Sequence, residues 1–259
     1  MSMKDLTIEI TDKCSLNCIH CSTNSKDKDI FIPKERVKEI LDEFTDFDRI
    51  RLSGGEPFEH PDLDEILKEI KEKGKKTMIL SSGVYKENEI PKNLLKSAKQ
   101  YNSEIVFSIY GNKEIHNHVC NFNAYDSLIK SVNTTNELKI PFSFQTVAMK
   151  TTLDSLEDIV KYARKFGSNL HILRFIKQGR GEVNPDYSLN KEEISKLIKL
   201  SENLGREYFV NITPGCSLKE KECTAGKGKF AIAINGDRIY CSALKYNAKH
   251  KKFACRERW

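Results

Sequence analysis

No apolar run in this chain approaches the roughly 20 residues that a membrane helix needs. The opening stretch, Met1-Ser2-Met3-Lys4-Asp5, lacks the apolar region of a secretory signal. Both absences point to the reducing cytoplasm as the expected compartment, where disulfides are disfavoured. There is no low-complexity linker, no internal repeat beyond an alternation of strand and helix patterns, and nothing resembling a separate tRNA-binding domain.

The 259 residues suffice for one barrel-sized domain and a small appendage. A hydrophobic share of 39% beside 31% charged residues fits a globular protein with a sizeable core. The net charge of +6 comes mostly from scattered lysines such as Lys68, Lys71, Lys73, Lys75 and Lys76, which read as solvated helix faces. Charge alone therefore marks no clear nucleic-acid site.

Strand patterns rich in β-branched and aromatic residues fall at 6–11, 49–53, 77–81, 104–110, 142–148 and 170–176. Helical periodicity falls between them at 33–44, 61–73, 91–100, 125–137 and 153–166, and again at 191–203, with Pro33 and Pro61 opening the first two. Six β-then-α units imply parallel strands with right-handed crossovers. The predicted fold is α/β, a partial (β/α)6 TIM barrel over 1–204; a doubly wound open sheet is the alternative. Residues 205–259 read as a small cysteine-bearing module whose hairpin turns at Asn235-Gly236. In either architecture chemistry collects at the carboxyl ends of the strands.

Three of the eight cysteines crowd into Cys14-Ser15-Leu16-Asn17-Cys18-Ile19-His20-Cys21, directly after the first strand. Clustered cysteines in a reducing compartment read as metal ligands or reactive thiols. Three thiolates on one loop suit zinc or iron–sulfur, and zinc would need a fourth ligand for which only His20 is near. The second strand ends in Arg51-Leu52-Ser53-Gly54-Gly55-Glu56-Pro57. Two glycines permit close backbone approach to a ligand, and Glu56 can accept charge-assisted hydrogen bonds from an ammonium.

The C-x3-C-x2-C loop followed by Gly-Gly-Glu-Pro resembles the radical S-adenosylmethionine superfamily. That resemblance implies a [4Fe-4S] cluster on Cys14, Cys18 and Cys21 with one iron open to S-adenosylmethionine, and cofactor contacts from Gly54, Gly55 and Glu56. It implies an enzyme that reductively cleaves S-adenosylmethionine to a 5′-deoxyadenosyl radical, which takes a hydrogen atom from a substrate. An outside electron donor such as flavodoxin or ferredoxin would reduce the cluster. Weaker similarities follow in order: Ser81-Ser82-Gly83, then Ser108-Ile109-Tyr110-Gly111 with Ile115-His116-Asn117, where peptide-modifying relatives carry Asp in place of Asn117. Ser108 is the expected cofactor contact among these, or else a turn cap. Arg174, at the end of the sixth strand, is expected either to pair with a carboxylate of the cofactor or to form a surface ion pair.

Cys223 and Cys241 frame Gly236 as C-x12-G-x4-C, which looks like the opening of a SPASM or twitch extension. The resemblance implies a second iron–sulfur cluster on Cys216, Cys223, Cys241 and Cys255; four thiolates would suit zinc equally. Cys120 stands apart, either as a hydrogen-atom donor to a substrate radical or as a small packing residue. Twitch and SPASM extensions imply a peptide substrate, with a nucleotide, sugar or cofactor precursor as the alternative. A first strand beginning near Leu6 predicts no fused leader-binding domain. A non-catalytic zinc- or nucleic-acid-binding module is the reading from another class, and the Gly54-Gly55-Glu56 turn argues against it.

Overall fold

The computed structural model describes residues 3–26, 28–215, 218, 225–226 and 228–244. Strand β1 (Asp5–Thr11) leads through a long loop to helix α1 (Lys34–Glu43). Then follow β2 (Arg49–Gly54), α2 (Leu63–Glu72), β3 (Lys76–Ser81), a small hairpin of β4 (Val84–Tyr85) and β5 (Asn88–Glu89), and α3 (Lys92–Gln100). Next are β6 (Glu104–Ser108), α4 (Lys113–Cys120), α5 (Tyr125–Glu137), β7 (Phe142–Ala148), α6 (Lys150–Lys165) and β8 (Leu170–Arg174). The chain continues through α7 (Arg180–Val183) and α8 (Lys191–Glu207) to β9 (Ile212–Pro214), β10 (Lys229–Ile232) and β11 (Arg238–Ile239).

The main sheet runs β11-β10-β1-β2-β3-β6-β7-β8-β9. Its six central strands are the six expected from the sequence, all parallel, as in a partial (β/α)6 barrel. Each strand alternates. Leu6, Ile8 and Ile10, Ile50 and Leu52, Ile105 and Phe107, and Leu170 and Ile172 face one apolar core shared with the helices. The intervening positions, among them Thr7, Arg51, Ser53, Ser108, Gln145 and Leu173, line an interior cavity. Strands of a parallel sheet covered on both faces usually read as near-continuous apolar runs; here the polar alternates mark a lumen.

The described part of the tail, expected from the sequence as a small module, pairs with the barrel sheet. Its hairpin exists, with Ala233 N donating to Asp237 O at 2.9 Å and Gly236 N to Ala233 O at 2.8 Å. But β10 pairs in parallel with β1 and β9 in parallel with β8, so the tail extends the barrel sheet at both edges. The 204/205 boundary falls inside α8, which runs on to Glu207. A local pattern predicts a strand but not its distant partner. Helix α4 is not among the helical patterns of the sequence, because Ile115, Val119 and Cys120 supply little apolar periodicity over its eight residues. Among the described residues no helix is long and apolar enough to cross a membrane.

One buried hydroxyl fixes the segment after β3. Ser131 of α5 donates to Gly83 O at 2.7 Å and accepts from Ile90 N at 2.8 Å. Replacing it by alanine strands both groups away from water. Ser131→Ala should cost about 1–3 kcal/mol, read as a lower midpoint in urea denaturation with unchanged slope.

Candidate active site at the carboxyl ends of the strands

Three clasps hold the cysteine loop that follows β1. Its entry is paired with its own exit, Cys14 N donating to Lys26 O at 3.0 Å and Lys26 N to Asp12 O at 3.1 Å. Its middle hangs on the end of α4, through Asn17 N to Cys120 O at 3.2 Å and Ile19 N to Val119 O at 3.0 Å. Arg180 of α7 closes the far side, its Nε donating to Cys18 O and its Nη1 to Ser25 O, both at 2.8 Å. Asn184 Nδ2 adds a bond to Ile19 O at 3.1 Å.

Cys14, Cys18 and Cys21 are free thiols lining the same cavity, about 400 Å³ in volume. Burial, then the neighbouring Cys18, pushes the Cys14 thiol well above its ordinary pKa. The adjoining Cys120 thiol and burial do the same to Cys18. Thiols that oppose one another's ionisation in this way are suited to a cationic centre that deprotonates them. Among the described residues no three His, Cys, Asp or Glu side chains converge on a single ion; the three thiols frame a space rather than a point. His20, the candidate fourth zinc ligand, has its Nε2 3.0 Å from the Tyr110 hydroxyl, and burial lowers its pKa to about 4. The donor set and the cavity fit a [4Fe-4S] cluster with a small ligand beside it.

The glycine turn locks onto this loop. Gly55 N donates to Thr11 O at 2.7 Å and Glu56 N to Lys13 O at 2.8 Å. A β-carbon on Gly54 would lie 2.2 Å from Thr11 O, and one on Gly55 2.0 Å from Lys13 O. The close approach that needs glycine is therefore to the cysteine loop's own backbone, and both residues also line the cavity.

Glu56, expected from the sequence to meet an ammonium, has several partners within the protein. It is buried, and its carboxylate accepts from Ser81 Oγ at 2.9 Å, Ser82 N at 2.8 Å, Ser82 Oγ at 2.6 Å and Phe58 N at 3.3 Å. In this arrangement it braces the end of β2 against the end of β3. Burial raises its pKa to about 7, against the pull of those hydrogen bonds.

Ser108 and Arg174 both line the cavity, and Ser108 Oγ accepts from Gln145 Nε2 at 3.0 Å. Asn117, at the position where relatives carry Asp, accepts from Tyr125 N at 2.9 Å and so supports the start of α5. Cys120, read from the sequence either as a hydrogen-atom donor or as a small packing residue, lies at the end of α4. It is 1% exposed, packs with Leu16, Tyr110, Val119, Met149 and Phe175 behind the loop, and does not line the cavity. Its Sγ lies 3.4 Å from His116 Nε2. Of the tail cysteines, Cys241 lines the cavity, while Cys216, Cys223 and Cys255 lie outside the described residues. Two residues not singled out from sequence also matter: Arg180, which clasps the loop, and Arg51, which lines the cavity.

Gly55→Ala should displace the loop while leaving the sheet intact. Iron incorporated per chain should fall severalfold with an unchanged far-ultraviolet circular dichroism spectrum. Glu56 makes a pH prediction. An unfolded carboxyl titrates near its ordinary 4.5 and the folded one at about 7. Between these values the folded state retains a proton that the unfolded state has released, so stability falls as pH rises through this window and then levels off. In cluster-free protein Glu56→Gln lacks this dependence, so its denaturation midpoint should gain on the parent's between about pH 5 and about pH 8.

Comparison with known proteins agrees with this geometry. The family model described as the Radical SAM superfamily matches residues 8–163. A probable GTP 3′,8-cyclase of Methanocaldococcus jannaschii is 26% identical over 80% of this chain and 73% of its own length. The mycofactocin maturase MftC of Mycolicibacterium smegmatis is 26% identical over 96% of this chain and 65% of its own. Among solved structures, Streptococcus suis SuiB bound to the precursor peptide SuiA superposes with a TM-score of 0.78 at 19% identity, covering 98% of this chain and 63% of that one. The chain thus spans only part of these relatives' lengths. By the match over most of its barrel, the chain belongs to the radical SAM superfamily.

Proposed function

We propose that this radical SAM enzyme modifies a peptide, which enters the lumen beneath the cysteine loop. The observation that carries the reading is the single cavity onto which Cys14, Cys18, Cys21, the Gly54-Gly55 turn and the tail residue Cys241 all open. Cys14, Cys18 and Cys21 would hold the [4Fe-4S] cluster. Gly54 and Gly55 would offer backbone to S-adenosylmethionine, with Ser108 and Arg174 on the facing strands. Cluster and cofactor, once bound, would supply radical chemistry for hydrogen-atom abstraction. The chain's own part is to orient the reactants in a lumen lined by both apolar and polar side chains and to exclude bulk water.

The tail would form a twitch- or SPASM-like element over 205–259, with an auxiliary cluster on Cys216, Cys223, Cys241 and Cys255. Gln178 Nε2 donates to Ser242 O at 2.8 Å and anchors the turn after Cys241 at the cavity edge. A peptide substrate is supported by MftC, a maturase, and by SuiB, solved with a precursor peptide. The relatives that are probable GTP 3′,8-cyclases favour a second reading, a nucleotide substrate. Flavodoxin or ferredoxin is the proposed electron donor.

Changing Cys14, Cys18 and Cys21 together to alanine should abolish 5′-deoxyadenosine formation from S-adenosylmethionine under reducing, oxygen-free conditions; persistent formation would refute the site. Iron per chain should drop by about the content of one cluster in a Cys223→Ala, Cys241→Ala variant, and an unchanged count would leave the tail without one. For substrate class, peptides encoded beside the gene and GTP are each incubated with the reduced enzyme. A mass change in a peptide supports the first reading, and one confined to GTP overturns it.

A further inference from the structure

Arg51 sits inside the lumen without the partners an interior guanidinium normally has. It lies two residues before Ser53 on β2, roughly 6–7 Å deeper than the rim at the usual rise per residue, and in register with Thr7 and Met78. Its side chain is 22% exposed and lines the cavity. Of its five N–H donors, none makes a hydrogen bond among the described residues, and Nε is buried without a partner.

Its single ion pair among the described residues, to Asp5, is long at 3.8 Å. Asp5 is already held bidentately by Arg49, at 2.8 Å and 2.9 Å. Glu104, the other acid near Arg51, accepts from Ser143 Oγ at 3.0 Å. Burial lowers the Arg51 pKa and Arg49 adds to this, while Asp5, Glu104 and Cys241 oppose it. A charge kept in this position without hydrogen bonds costs stability, and such costs concentrate at functional sites.

The cavity's balance of charge points the same way. Among the described residues its lining holds four cations, Arg51, Arg174, Arg180 and Lys229, against one carboxylate, Asp5. Arg180 is spent on the cysteine loop. We propose that Arg51 is an anion-recognition point on the cavity floor, receiving a carboxylate or phosphate group of the substrate. A planar guanidinium with free donors matches either group in a two-pronged bond. This rests on the cavity being the substrate site. It adds that the substrate is acidic: a peptide would present a Glu, Asp or terminal carboxylate, and a nucleotide its phosphate.

The test uses oxygen-free, cluster-loaded protein with saturating S-adenosylmethionine and no reductant, so that the cofactor's carboxylate is already placed. Thermal unfolding is followed against two probes, N-acetyl-glutamyl amide and inorganic phosphate, with ionic strength held constant by chloride. The wild type should gain a saturable rise in Tm with at least one probe. Arg51→Gln should weaken that apparent affinity tenfold or more, and Arg51→Lys should retain part of it. Without probe, Arg51→Met should unfold no lower than the wild type. The probe that binds identifies the source of the anion. No saturable shift in the wild type with either probe overturns the proposal, as does an equal shift in Arg51→Gln. So does marked destabilisation of both Arg51→Gln and Arg51→Met, which would make Arg51 a structural counter-charge to Asp5. None of these readouts depends on cleavage of the cofactor, so their failure leaves the radical chemistry standing, and loss of that chemistry leaves them readable.

Discussion

The carbonyl oxygens of Thr11 and Lys13 occupy the space where side chains would begin on Gly54 and Gly55. Two backbone bonds, from Gly55 N and Glu56 N, seal that contact. With no side chain between them, the end of β2 and the root of the cysteine loop lie backbone to backbone. The positions of Cys14, Cys18 and Cys21 follow from this junction, because the rest of the loop is held to α4 and α7 by a few backbone and side-chain bonds.

Glu56 extends this junction to β3. Four donors converge on one buried carboxylate, and three of them belong to Ser81 and Ser82. Beyond Ser82, Gly83 is tied to α5 through Ser131. The floor under the cysteine loop is thus a chain of strand ends joined by hydrogen bonds. Such a network fixes geometry where an apolar contact would allow sliding. Pre-organisation of this kind suits a site that must hold a reactive species against a chosen bond.

Much of this was legible in the sequence, for physical reasons. The six central strands fall within a residue or two of their expected places because β-branched residues at period two leave little ambiguity. The cysteine spacing and the glycine turn marked the loop and its neighbour. What could not be read was pairing at long range. The Gly54-Gly55 turn suggested approach to a ligand, whereas its tightest contacts are to Thr11 and Lys13. Arg49 and Arg51 alternate along one strand just as a solvated face would, so nothing local distinguished a lumen from a surface. The hairpin at Gly236 was visible, but its alignment beside β1 was not.

That alignment has a consequence for how the protein is made. The strand that delivers the cysteines lies between β2 and β10, and Ile234 N reaches Glu9 Oε2 at 3.3 Å across 225 positions of chain. A nascent chain leaving the ribosome therefore holds β1 with one edge bare until β10 has emerged. Contacts of such high sequence separation form late and slowly. The strand that delivers the cysteines gains its second neighbour only once β10 has been made.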